Sequence, residues 1–170
     1  DEYKNASKPD AVFGTRMADW ISPLKGGMPF YKFIGNKVLT RIENFLLNSR
    51  LSEFHSGYRS YSTKILRQIP FELNSNDFHF DTDIIIQVLA AGGKISEVPM
   101  PTKYGNEVCH VNGMQYAKNV VLSCLHFRVH QLGFLYDRKF DILAHLGEQP
   151  RPRAGLESIQ TAALERVSPK

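Results

Sequence analysis

Three short strand-like segments are all that this chain offers to a β-sheet, and that shortage constrains its fold more than any other feature. Ala11 to Gly14 is an apolar run closed by glycine, Gly57 to Tyr61 is a short extended stretch, and Ile95 to Val98 is ended by Pro99 and Pro101. Helical patterns lie between them, which makes an α/β unit of few strands plus two long helices. A sheet with so few strands exposes its edges, so the expectation is a part of a larger sheet with its other half missing.

The first long helical pattern runs from Pro29, suited to a first turn, to Asn48. Tyr31, Ile34, Val38, Ile42 and Phe45 recur at intervals of three and four and form its apolar face. Asn36, Thr40, Asn44 and Asn48 form a polar stripe on another side, expected to meet water, with lining of a cleft as the other reading. Ser62 is placed to cap a brief helix before Pro70, and Asp81 to Ala91 reads as a helix stopped by Gly92 and Gly93. Residues 102 to 113 read as a polar loop ending in the turn pair Asn112-Gly113. Met114 to Leu132 is the second long helix, with Ala117, Val121, Cys124 and Leu125 on its apolar side. Beyond His145 the composition changes to GEQPRPRAG, a linker, followed by a stretch from Leu156 to Arg166 that is either a lone amphipathic helix or unstructured. The expected division is residues 1–135 as the main unit and 136–170 as a helical or flexible tail.

The 170 residues are 42% hydrophobic and 11% aromatic, which excludes a disordered chain. Lys and Arg number 21 against 17 Asp and Glu, a spread-out excess of +4 that selects no single anionic partner. Basic and aromatic residues are not interleaved on one element, which argues against nucleic acid. Cys109 and Cys124 are far apart and lack CxxC spacing, the pattern of a reducing compartment. No apolar run is long enough to cross a bilayer, and the start is polar, without the apolar core of a signal peptide or an initiating Met. The expectation is a cytoplasmic protein that reads like the middle of a longer one.

Four segments, in order, resemble those of one enzyme family. AVFGTRM at residues 11–17 resembles a "VxGSR" strand and loop, and RLSEFHSGYRSY at 50–61 resembles an "SDxxSGFR" segment. FHFDTD at 78–83 resembles an "FxFExE" helix start, and SEVPMPTKYG at 96–105 resembles an "EVPxxxxxRxxG" strand and loop. Together they resemble the C-terminal half of family 2 glycosyltransferases of the dolichol-phosphate mannosyltransferase kind, which have the GT-A fold. The resemblance implies transfer of a sugar from a nucleotide-sugar donor to a polyprenyl phosphate or similar acceptor, with inversion. It implies that the metal-binding DxD motif, its Mg or Mn ion and the nucleotide pocket lie in a missing N-terminal half. By this reading no metal is expected in this chain alone, the isolated chain is inactive, and the protein sits at the inner face of a membrane.

The same resemblance nominates site residues. Glu53 stands where the family has an aspartate near the acceptor, one methylene longer here, and is the catalytic candidate, as a base or as an orienting carboxylate. Arg16 and Arg59 are candidates to clamp phosphate oxygens, because guanidinium offers paired donors. Lys103 lies in the loop that carries a basic residue toward the diphosphate, and His55 and Ser56 sit in the matched segment as substrate-binding candidates. Asp81 and Asp83 spell DTD, but on a helix side chains two apart diverge, so capping and helix-dipole roles are expected. His126 and His130 have the i,i+4 spacing of a zinc helix without a third ligand, and Cys109-His110 adds nothing that must meet them. Outside this class, the Met114–Leu132 helix would suit a non-catalytic binding or assembly module that rests on a membrane surface or docks a partner helix.

Overall fold

The computed structural model describes residues 8–19, 21–101, 103–104 and 112–147. Cys109-His110, most of the loop after Tyr104, and the linker and tail from residue 148 onward lie outside the described residues. Strand β1 (Ala11–Thr15) is central in a three-stranded mixed sheet of order β2-β1-β3. It pairs antiparallel with β2 (Arg59–Tyr61), Phe13 opposite Arg59, and parallel with β3 (Ile95–Pro99), Phe13 opposite Glu97. The helices α1 (Ser22–Lys25), α2 (Phe30–Leu47), α3 (Thr63–Leu66) and α4 (Phe80–Ala90) lie between β1 and its parallel partner β3, and α5 (Gly113–Gln131) and α6 (Ile142–His145) follow. A parallel pair needs such a long crossover, and the helices cover one face of the sheet.

Side chains alternate along β1, so Ala11, Phe13 and Thr15 point the same way. Ala11 and Phe13 enter a core with Leu47 of α2, Phe54, Ile85 and Ile86 of α4, Cys124 and Phe127 of α5, and Phe140. On the opposite face Gly14 is covered closely: a Cβ there would lie 2.5 Å from the Met100 sulfur and 3.1 Å from the Tyr58 Cβ. The glycine that closes the apolar run is thus required by close approach.

Helix α4 is buried nearly all round, from Thr82 to Val88, as a helix between layers must be. Its one buried amide ties distant chain segments together. Gln87 Nε2 donates to the carbonyls of Pro70 and Lys139, and Gln87 Oε1 accepts from Asn74 Nδ2. Asp83 accepts from the Ser75 backbone N–H and from Lys139 Nζ, each at 3.1 Å. Asp81 instead pairs with Arg59 at 3.1 Å, so the two acids of DTD do diverge to different partners. Because Lys139 is held this way and Phe140 is only 3% exposed within the core, the packed unit continues past residue 135.

The polarity of α2 runs opposite to the expectation. Phe33, Thr40, Glu43 and Leu47 are buried, while Tyr31, Ile34, Val38, Ile42 and Phe45 are exposed, Phe45 at 83%. The expected polar stripe is the inward one. The irregular segment after α2 is tucked under the sheet edge, and its backbone groups need partners there. Asn44 supplies them, donating from Nδ2 to the Leu51 carbonyl and accepting from Leu51 N–H and Ser49 Oγ. A row of aliphatics could not. Asn48, at the end of the stripe, ends the helix in the left-handed region with φ 51° and is exposed. In α5 the buried set is Val120, Ser123, Cys124 and Phe127, rotated from the expected face; Leu125 is exposed.

Candidate functional site

The candidate site lies at the C-terminal end of β1, where α/β folds collect ligand-binding loops. Arg16 is the first residue past the strand. Its backbone N–H donates to Glu53 Oε2 at 2.7 Å, and its side-chain Nε donates to Glu53 Oε1 at 2.8 Å. A second guanidinium nitrogen also bonds Oε1, and reaches the His55 carbonyl at 3.1 Å. The remaining one donates to the Tyr104 hydroxyl at 3.0 Å. Burial opposes the guanidinium charge, but the hydrogen-bonded Glu53 carboxylate outweighs it and holds the Arg16 pKa above its ordinary value.

Glu53 is 2% exposed and takes a further hydrogen bond from Asn36 Nδ2 at 3.0 Å. Its carboxylate is therefore occupied by Arg16 and Asn36. This geometry fits an orienting role for Arg16 and leaves little room for direct proton abstraction. The turn that carries Glu53 is itself fixed from β3: Glu97 accepts from the Ser52 backbone N–H at 2.9 Å, from Ser52 Oγ at 2.7 Å and from Glu53 N–H at 3.3 Å. Ser52 Oγ also lies 2.7 Å from Thr15 Oγ1. A two-layer arrangement results, in which Glu97 sets the turn, the turn sets Glu53, and Glu53 sets Arg16.

The other nominated residues divide. Lys103 is exposed and precedes Tyr104, the residue whose hydroxyl meets the Arg16 guanidinium. Ser56 is buried beneath Met100, its Oγ accepting from Tyr58 N–H, so it shapes the turn. Arg59 does not join the Arg16 cluster. Its side chain is 5% exposed, pairs with Asp81, donates to the Phe54 carbonyl and stacks over the Phe13 ring at 5.5 Å. Such an arginine is a packing element of the core rim. The His55 carbonyl meets Arg16, but its ring turns away from that cluster toward Glu43 and Tyr116.

Asn36, Lys37, Glu97 and Tyr104 were not singled out from the sequence as site residues. Lys37 Nζ donates to the Met17 carbonyl at 3.2 Å, which adds a second cation beside Arg16. The inward polar stripe of α2 was the available signal for Asn36, and Glu97 lies inside the matched SEVP segment. His126 and His130 both turn to Asp137: His126 Nε2 lies 3.5 Å from its carboxylate, and His130 Nδ1 accepts its backbone N–H at 3.1 Å. Among the described residues no group of three or more His, Cys, Asp or Glu could hold a metal ion. Nor is any helix among them long and apolar enough to cross a membrane.

Over 95 residues the chain is 33% identical to an uncharacterized protein of Methanocaldococcus jannaschii, a stretch that covers 56% of this chain and 38% of that protein. The chain thus spans well under half of that relative's length. No family model matches the sequence, and no solved structure matches it.

Proposed function

We propose that this chain is the acceptor-side portion of a family 2 glycosyltransferase, which transfers a sugar from a nucleoside-diphosphate donor to a polyprenyl phosphate or similar acceptor. The observation that carries this reading is the meeting of Arg16 and Glu53. They come from two motifs 37 residues apart in sequence, and they converge at the end of the central strand. An acceptor phosphate oxygen attacks the anomeric carbon as the bond to the nucleoside diphosphate breaks, with inversion. A phosphate acceptor is already anionic, so the step needs charge stabilisation and orientation more than a base.

Arg16 is the residue that binds phosphate oxygens, Lys37 and Lys103 add positive charge around it, and Glu53 with Asn36 keeps the guanidinium in one pose. Glu53 acts here as a positioning residue. A divalent cation on the donor diphosphate would neutralise the leaving group, and it would be held by residues outside this chain. The test is transfer from labelled UDP- and GDP-sugars to polyprenyl phosphate by the full-length gene product. Transfer that drops about 100-fold or more in Arg16→Ala supports the reading. No transfer with any donor, or an unaffected variant, removes it.

A second reading, of a membrane-surface binding module, is favoured by one observation. The outward sides of α2 and α5 carry exposed apolar residues, among them Ile34, Val38 and Phe45 on one and Leu122, Val129 and Leu132 on the other. The charged residues exposed on these helices are Arg41, Lys118 and Arg128, and the one acid in either helix, Glu43, is buried. Apolar residues rimmed only by cations suit an anionic lipid surface. Co-sedimentation with vesicles containing phosphatidylglycerol, and not with phosphatidylcholine alone, is the expected result.

A further inference from the structure

Beneath the Arg16 cluster lies a second group of polar side chains that the transfer reading does not use. Glu43 of α2 is fully buried, and its Oε2 is 2.9 Å from His55 Nε2. On the other side of the imidazole, Nδ1 is 3.0 Å from the Tyr116 hydroxyl of α5. One ring thus joins α2, α5 and the segment that carries Glu53. His55 also stands edge-on to the Tyr116 ring, with centroids 5.6 Å apart.

The surroundings explain why the ring is held. Neither Glu43 oxygen has an aligned hydrogen-bond donor among the described residues, and the His55 contact is close but not straight. Burial pushes the Glu43 carboxyl up, and a buried carboxyl in that condition depends on its neighbours for hydrogen bonds. Those facing it are His55, Arg59 of β2, and Tyr116 and Cys124 of α5, with Asp81, Thr82 and Asp83 at the start of α4 beyond them. Arg59 is already engaged by Asp81 and by the Phe54 carbonyl. The imidazole is therefore the partner within hydrogen-bonding distance of Glu43, at 2.9 Å.

We propose that Glu43 and Tyr116 form a positioning pair that holds His55 as a neutral ring protonated at Nε2, with Nδ1 accepting from the Tyr116 hydroxyl, and that His55 so held aims Arg16 through its backbone carbonyl. The link to Arg16 is the 3.1 Å hydrogen bond from the guanidinium to that carbonyl. With Glu43 ionised, a single tautomer follows from the two contacts, because Nε2 then faces an anion and Nδ1 a hydroxyl that can donate. Burial pushes the Glu43 carboxyl up, so the ring is read at mildly alkaline pH. Flipping the ring would turn Cε1 toward the carboxylate and Cδ2 toward Tyr116, so both contacts would be lost. The functional meaning of this pair rests on the reading of Arg16 as an anion-binding group; the tautomer and the coupling do not.

The experiment is two-dimensional ¹H–¹⁵N NMR of the ¹⁵N-labelled chain at mildly alkaline pH, reading the His55 ring nitrogens and the Arg16 Nε–H together. The wild type is expected to show the Nε2–H tautomer alone and one sharp Arg16 Nε–H signal. In Tyr116→Phe and Glu43→Gln, the ring should become a mixture of tautomers, and the Arg16 signal should shift and exchange faster with water. Tyr116→Phe keeps the fold's apolar volume, so it decides the matter where Glu43→Gln is too unstable to study. A wild-type ring protonated at Nδ1, or an Arg16 signal unmoved in a folded variant, overturns the proposal. A parallel titration with inorganic pyrophosphate separates the two levels. If the wild type does not bind it, the anion-binding reading of Arg16 fails, while the tautomer and the Arg16 shift still decide the pair.

Discussion

The Glu53 carboxylate accepts the Arg16 backbone N–H on one oxygen at 2.7 Å and the Arg16 side-chain Nε–H on the other at 2.8 Å. A single acid therefore fixes both the exit of the central strand and the direction of the side chain that leaves it. Glu53→Gln keeps the size but replaces an acceptor oxygen with an amide NH2 that faces donors. Breaking one side of a buried pair costs about 3 kcal/mol. Urea unfolding should show that loss, and Asn36→Ala, which removes one neutral donor to the same carboxylate, should lose only about 1 kcal/mol.

Gly14 has no room for a methyl group beside the Met100 sulfur and Tyr58. Gly14→Ala should destabilise the chain by about 2 kcal/mol through overpacking. Met100 is flexible and can retreat, so Gly14→Ala combined with Met100→Ala should recover part of the loss. Equal melting temperatures for the single and double variants would show that Tyr58 sets the limit.

Exposed apolar residues of α2 should be nearly silent in stability and decisive for membrane contact. Ile34→Ser with Phe45→Ser should change unfolding free energy by within about 0.5 kcal/mol per site. The same pair should abolish co-sedimentation with anionic vesicles. Strong destabilisation would mean that these side chains are covered in solution.

Burial pushes both Tyr61 and Tyr116 up to about 12. The folded chain then keeps these protons more tightly than the unfolded chain, whose tyrosines titrate near the ordinary value of about 10. Their contribution to stability is whole below pH 10 and is lost as pH rises from about 10 to about 12. Chemical denaturation at stepped alkaline pH should show stability falling in that window. Tyr61→Phe and Tyr116→Phe together should flatten the fall.

The three strands and helices α2 to α5 were legible in order because local causes mark them, such as Ser62 capping α3 by accepting from Ile65 N–H and Asn112 capping α5. The single-turn helices α1 and α6 were not. The closure of Arg16 on Glu53 was legible only through the matched motifs, since nothing local in either segment points to the other. The orientation of α2 was not legible. Periodicity locates a face and not its partner: Asn44 faces the irregular Leu51 backbone, Asn36 the Glu53 carboxylate, and Thr40 donates to Asn36. Arg59 misled for a related reason. Beside Gly57 and Tyr58 it reads as a ligand-binding arginine, yet its register opposite Phe13 lays it over that ring. The inclusion of Phe140 in the core depended on Gln87 and Asp83, whose long-range partners no spacing rule supplies.

β1 is flanked on both sides by paired strands, whereas β2 and β3 each have one neighbour within this sheet. Amide hydrogens of Ala11 to Thr15 should therefore be among the slowest to exchange with deuterium, and those of the edge strands faster. The Arg16 amide lies beyond the last ladder position but is bound to Glu53, and the buried Met17 amide donates to Thr15 Oγ1, so slow exchange should extend past the strand through both residues. The guanidinium then stands at the border between the central strand and the loops that follow, anchored at its root by Glu53 and at its tip by the His55 carbonyl and the Tyr104 hydroxyl.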